Sequence, residues 1–223
     1  MYLIEVNAPS QMLFSRICIV LVIITVAAFL LLSPGSVYGS SIEGRGVLYP
    51  FRISESLFSQ SSISGTDLPS QIMVPHLGVA FSLDFPLLFV DSLRIAGDFF
   101  DTRYLRQFVN SSISDDLGAN FRANSRILEC SALKELSIPL IDLFGGAGFT
   151  YSSGTVSVED NAGGDSFSDS WSFWGANYVA GVGVGLPFFK VYGQLRHLAP
   201  LFVDDPIVEV RGFGFGLGIQ VKF

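Results

Sequence analysis

From Phe213 to Phe223 the chain alternates without a break. Phe213, Phe215, Leu217, Ile219, Val221 and Phe223 are large and apolar, while Gly214, Gly216, Gly218, Gln220 and Lys222 are small or polar. A period of two defines a β-strand with two unlike faces. A strand of this length, greasy on one side only, suits the wall of a membrane-spanning barrel. Other stretches repeat the pattern. Val74–Phe85 sets Leu77, Val79, Phe81, Leu83 and Phe85 against His76, Gly78, Ala80, Ser82 and Asp84. Leu93–Tyr104 points Leu93, Ile95, Gly97 and Phe99 outward and Arg94, Ala96, Asp98 and Thr102 inward. Leu143–Tyr151 and Tyr178–Leu186 alternate apolar residues with inward Gly146, Gly148, Gly181, Gly183 and Gly185. Phe189–His197 points Phe189, Val191 and Leu195 outward and Lys190, Tyr192, Gln194 and Arg196 inward.

Two stretches fit less well. Gly46–Ile53 groups Val47, Tyr49, Phe51 and Ile53 on one face against Leu48, Pro50 and Arg52, and its proline removes a ladder donor. Ile127–Leu140 ends with Leu136, Ile138 and Leu140 outward and Glu135 and Ser137 inward. Continued backward, that phase places Lys134 on the lipid side, so a bulge near Leu133 is expected. With these two, the pattern predicts an all-β fold: an eight-stranded antiparallel up-and-down transmembrane barrel. Connector lengths give the same answer. Long polar segments (Ser54–Met73, Leu105–Ser125, Ser152–Asn177) alternate with short ones (Pro86–Ser92, Ile141–Asp142, Pro187–Phe188). Outer-membrane barrels have short periplasmic turns and longer external loops.

At the other end, Ile17–Leu32 is one apolar run, preceded by Arg16 and followed by Ser33-Pro-Gly-Ser-Val-Tyr-Gly39. This is the layout of a secretory signal peptide. Residues 1–39 are therefore read as a cleaved signal and 40–223 as one barrel domain. Only Cys130 remains in the mature chain, so no intrachain disulfide forms and closure of the barrel must supply the stability. The formal net charge of -7 argues against nucleic acid as a partner.

The segments Glu135–Leu140, Phe144–Tyr151, Val182–Leu186, Gln194–His197 and Gly216–Phe223 resemble the outer-membrane protein beta-barrel domain family, small eight-stranded barrels of Gram-negative-type bacteria. The resemblance implies residence in the cell outer membrane, outer-membrane lipid as surroundings, and insertion by the assembly machinery, which reads a C-terminal aromatic; Phe223 holds that position. It carries over no catalytic residue and no cofactor.

An eight-stranded barrel leaves room for side chains or one small ligand. The expected lumen charges are Arg94, Asp98, Glu129, Glu135, Lys190 and Arg196, with Asp84 as a further acid. Lys190 and Arg196 are expected to pair with acids across the interior, because unpaired charges there are costly. The lumen then acts as a plug, and the protein works as a monomer in a structural or surface-interaction role through its external loops. Two other readings stand beside it: a lipid A-modifying enzyme using His76 or His197, and a small-solute channel. Gly181-Val-Gly183 is followed by Leu186, so the dinucleotide fingerprint fails. Glu159, Asp160, Asp165 and Asp169 lack calcium-loop spacing and read as a solvated tip. Arg103, Arg106, Arg122 and Arg126 flank the second long loop. Trp171, Trp174 and Tyr178 are expected at the membrane interface, where amphipathic rings gather.

Overall fold

A computed structural model describes residues 39–53, 71–84, 89–101, 119–160, 167–186, 188–201 and 208–223. The signal-peptide reading, Asp165, Arg103 and Arg106 lie outside the described residues. The strands are β1 (Gly39–Ile53), β2 (Gln71–Asp84), β3 (Ser92–Asp101), β4 (Ala119–Ile138), β5 (Ile141–Asp160), β6 (Phe167–Gly185), β7 (Phe189–Leu201), β8 (Val208–Val210) and β9 (Gly212–Lys222). Each pairs antiparallel with the next from β1 to β7; β7 then pairs with β9, and β9 with β1, so the sheet closes on itself. β8 also lies against β1, with Phe51 opposite Val210. β8 and β9 are thus one barrel strand interrupted at Arg211, and the architecture is a closed eight-stranded barrel.

The interruption has a local cause. Three steps along β1, from Leu48 to Phe51, face five along the partner, from Phe215 to Val210. The two extra residues form a bulge beside Pro50, which has no N–H to give to the ladder. The Arg211 N–H donates to the Pro50 carbonyl at 3.2 Å, and Gly212 takes φ 110°, a conformation open to glycine at little cost.

The apolar positions of the final strand face outward: Phe213, Phe215, Leu217, Ile219 and Val221 are exposed, while Gly214, Gly216 and Gly218 are buried. The same holds for Leu77, Val79 and Phe81 on β2, Ile95 and Phe99 on β3, Phe149 on β5, Val182 and Val184 on β6, and Val191 and Leu195 on β7. Arg94, Asp98, Glu129, Lys190 and Arg196 are buried within. A protein whose greasy side chains coat the exterior and whose charges fill the interior is built for hydrocarbon surroundings.

Three expectations need correction. β1 starts at Gly39, earlier than its apolar pattern suggested, and its phase is the reverse of a lipid-facing one: Val47, Tyr49 and Phe51 are buried inside, while Ile42 and Leu48 face out. No bulge occurs near Leu133, because β4 pairs with β5 in unbroken register from Ala119 opposite Asp160 to Ile138 opposite Ile141. Lys134 does point outward, but next to the β2–β3 connection, where its Nζ lies 2.7 Å from Asp91. Strands β4, β5 and β6 also extend far into segments that read as loops. Beyond the membrane neither face needs to be greasy, so the alternation fades while the pairing continues.

Inward glycines are set by close approach. A side chain on Gly148 would meet the Cys130 carbonyl at 2.1 Å and the Ser131 Cα at 2.6 Å. At Gly44, on the outer wall, nothing lies within 4 Å. Gly148→Ala is therefore expected to destabilise by about 1–3 kcal/mol through overpacking, and Gly44→Ala to be neutral or stabilising. Urea midpoints of the heat-modifiable band on unboiled gels check both.

Candidate functional site: the filled lumen

The termini of the sheet and the β2–β3, β4–β5 and β6–β7 connections share one end of the barrel, here the turn end; the β1–β2, β3–β4, β5–β6 and β7–β8 connections share the other, the loop end. At the turn end Ser40 and Phe223 exchange both backbone hydrogen bonds, at 3.1 and 3.0 Å. Between the ends, inward side chains fill the tube in two layers.

The layer nearer the turn end is ionic and centres on Glu129 of β4. Its Oε2 lies 2.6 Å from Arg196 Nη1 and 2.8 Å from Arg45 Nη2, and its Oε1 lies 3.1 Å from Arg94 Nη2. The Ser131 hydroxyl donates to Oε1 at 2.6 Å. Four strands thus converge on one carboxylate: β1, β3 and β7 bring arginines, and β4 holds the acid. Asp98 takes a two-pronged bond from Arg45 Nε and Nη2, both at 2.7 Å, and a further one from the Tyr49 hydroxyl. Arg196 also donates to the Tyr49 oxygen at 3.0 Å. Glu43 accepts from Tyr192 at 2.6 Å and from Ser82 at 3.0 Å, with Arg94 3.7 Å away. Three arginines face three acids in this cluster, so the buried charge balances, as the low dielectric demands.

A second ionic group lies closer to the turn end. Lys190 Nζ is 2.8 Å from Glu135 and 3.3 Å from Asp142, and Lys222 is 3.8 Å from Glu135. Lys190 also stands 5.2 Å from the centre of the Phe144 ring. A cavity of about 30 Å³ remains among Glu43, Arg94, Lys190 and Tyr192, room for one or two waters.

Bare glycine backbone makes space for these long side chains. A Cβ on Gly183 would strike Lys190, one on Gly218 would strike Tyr192, and one on Gly216 would strike Gln194. β7 therefore lays its side chains over the glycines of its two neighbours.

Toward the loop end the lumen turns apolar. Val47, Phe51, Val74, Ile127, Val156, Trp171, Phe173, Leu198, Val208 and Val210 pack together, with Tyr49 at the boundary. The Phe51 and Trp171 rings meet edge-on at 5.9 Å, and Trp171 stacks on Phe173 at 5.6 Å. His76 sits in this layer, stacked on Phe51 and edge-on to Tyr49. Its Nδ1 donates to the Val74 carbonyl at 3.1 Å, so Nε2 is the acceptor for the Ser125 hydroxyl. The imidazole is fully buried among rings.

The outer wall places the remaining residues. Tyr178 is 54% exposed and, with Phe213, flanks the ring of His197, at 6.3 and 4.8 Å. Trp174 contacts Tyr151 at 5.2 Å. Trp171 does not belong to this group: it points inward and is only 9% exposed. Its odd position on β6 carries the inward phase of Phe173 and Val179, whereas Trp174 and Tyr178 carry the outward one. Phe223 is 68% exposed. Arg122 and Arg126 are exposed on β4, and Glu159 and Asp160 lie at the loop end of β5. The inward residues missed in the sequence are Glu43, Arg45 and Tyr49. Ser41, Glu43 and Arg45 do alternate, but Gly44 and Gly46 opposite them conceal the strand.

Among solved structures the barrel is similar to Neisserial surface protein A, at 13% identity over 82% of this chain and 97% of that one, with a TM-score of 0.51. It also matches the N-terminal β-barrel domain of Pseudomonas aeruginosa OprF (13% identity, 84% and 99% coverage, TM-score 0.48) and a major outer-membrane protein of Thermus thermophilus (10%, 82% and 99%, 0.49). No protein-family model and no curated protein matches the chain by sequence. The fold is that of the small bacterial outer-membrane β-barrels.

Two outcomes follow from this geometry. Glu129→Gln leaves three buried guanidinium groups without their shared counter-charge and is expected to cost about 3–5 kcal/mol, read from the urea midpoint in detergent micelles. At the turn end, the hydrogen bond from Lys134 holds the Asp91 carboxyl below its ordinary range, aided by the Glu135 N–H at 2.7 Å. A depressed folded-state value stabilises above the unfolded value and is lost as pH falls through the folded one. The stability difference between wild type and Asp91→Asn should therefore be present at pH 7 and vanish well below about pH 4, in unfolding curves taken at both.

Proposed function

We propose that the protein is a closed outer-membrane barrel that acts through its external end and passes no solute along its axis. The observation that carries this reading is the filled lumen: a balanced ionic layer around Glu129, capped by a dry aromatic layer around Trp171. An ion entering from the turn end meets compensated charges first and then apolar rings that offer it nothing. With the loop end outside, the rings of Tyr178, His197 and Phe213 mark the outer interface, and the outward Phe223 is the aromatic read by the assembly machinery.

The loop end offers more than irregular segments. Beyond the row in which Trp174 faces Leu201, β6 continues to Phe167 with β5 as its partner. β4 and β5 continue to Ala119 and Asp160. Among the described residues the three strands carry the sheet past that row, with Val156, Trp171 and Phe173 still turned into the apolar lumen layer. A sheet carried toward the loop end in this way is suited to contact other surfaces, since binding residues concentrate on loops and edges carried by a rigid scaffold. The role is structural or interactive, and the barrel works as a monomer within its own membrane.

Planar-bilayer recording tests the lumen. The wild-type protein is expected to show no large, steady conductance. A stable open level would overturn the plug and favour the small-solute channel. Enzyme action is tested separately: lipid A from cells carrying a double His76→Ala/His197→Ala variant is expected to match wild type.

A further inference from the structure

The hairpin of β4 and β5 is described without interruption, and its outward face stays apolar to the tip. Leu136, Ile138, Leu140, Ile141 and Leu143 are all exposed. Inward positions at the same level are polar: Glu135 and Asp142 both bind Lys190. The turn is costly for the residue it carries. Leu140 takes φ 71°, a conformation that glycine adopts freely and leucine does not. There it holds a side chain that is 77% exposed. The other two connections at the turn end repeat the choice, with Phe89 80% and Phe188 76% exposed. A turn in open water favours small polar residues and calls for none of these.

Charges on the outer face of β4 fix the depth of this tip. Arg126 and Lys134 are both exposed, and only Leu128, Cys130 and Ala132 stand outward between them. The eight steps from one to the other cover about 26 Å along the strand, which is about 20 Å across a bilayer at the usual tilt of about 35–45°. Long cationic side chains reach away from the apolar zone, so the two charges bracket a band close to the expected ~25 Å. The Lys134 ammonium, 2.7 Å from Asp91 of the β2–β3 connection, thus marks one hydrocarbon edge. Past Lys134 the strand runs four more residues to Ile138, about 10 Å of depth at the same rise and tilt. A headgroup layer is about 5–8 Å deep. The apolar tip spans that layer and is continuous with the lipid-facing wall.

We propose that the turn end carries an apolar collar, residues 136–143 with Phe89 and Phe188, that seats in the phospholipid headgroup layer of the leaflet at that end and fixes the depth of the barrel. Phe89, Leu140 and Phe188 stand on three separate connections around the mouth. A lipid layer surrounds all three at once, whereas a protein docked on one side leaves the others in water. The collar is the lipid contact of the wall carried past the hydrocarbon edge, with the Lys134 ammonium at the level of the lipid phosphates.

The test uses the full chain refolded into phospholipid nanodiscs, with folding verified by heat-modifiable mobility. A nitroxide is attached to Leu140→Cys or Phe188→Cys, each in a Cys130→Ala background. Its collisions with oxygen and with a water-soluble nickel chelate are read by electron paramagnetic resonance. Lipid admits oxygen and excludes the polar chelate, so the oxygen-to-nickel ratio is expected to rise about threefold or more over that of the same label on the urea-unfolded chain. A ratio equal to the unfolded reference at both sites overturns the proposal, because the tips then stand in bulk water. A ratio raised in native outer-membrane fragments but not in nanodiscs also overturns it, because a protein then covers the tips. The depth-setting role has its own readout. In a Leu140→Asp/Phe188→Asp variant the charged tips draw the barrel toward water, so a label on Leu143→Cys is expected to gain about twofold in nickel collisions. An unchanged value there overturns the role of the collar in fixing depth.

Discussion

A carboxylate that accepts bonds from three arginines governs the interior of this barrel. Glu129 cannot be left uncompensated in a region without bulk water, and neither can Arg45, Arg94 and Arg196 around it. The requirement ties together strands far apart in sequence: β1, β3, β4 and β7 must all be in register before any of these charges is satisfied. Outer-wall packing alone does not impose that register, since acyl chains offer the wall much the same surroundings at every offset. The ionic layer thus selects one closure of the sheet, and the glycines on β6 and β9 provide the space in which β7 delivers its long side chains.

The apolar layer above it has a different role. Trp171, Phe173, Phe51 and their neighbours fill the tube where hydrogen-bonding side chains would invite water. The two layers differ in what they bring together: one ties charged side chains of four strands to one carboxylate, the other packs apolar side chains toward the loop end.

Most of the wall was legible in the residues. Phe213–Phe223 and Phe189–His197 alternate so strongly that their faces follow from side-chain size alone. β1 was not, because an inward Val47, Tyr49 and Phe51 look the same in sequence as a lipid-facing set; only their neighbours inside the closed tube, Val210 and Trp171 among them, decide the matter. The full length of β4, β5 and β6 was hidden for a related reason: toward the loop end, stretches such as Ser152–Ser157 turn Ser153, Thr155 and Ser157 outward while the apolar Val156 points into the lumen. Trp171 was assigned by residue type, but the strand's phase overrode it. Several lumen charges could be listed from the pattern, yet the convergence on Glu129 also needs Arg45, and the balance of charge needs Glu43, both concealed by the glycines that alternate with them.

The seam between β1 and β9 bears on how the chain reaches this state. Gln220 donates to Ser41 across 179 positions of sequence, and the flanking backbone pairs span similar distances. Local hairpins such as β4–β5 need little loop closure, but this last junction carries the entropy of nearly the whole domain. Chains dominated by such distant pairings fold slowly. Until the seam forms, both of its strands present bare edges, so the half-made sheet is the species most exposed to misassociation and most in need of an escort.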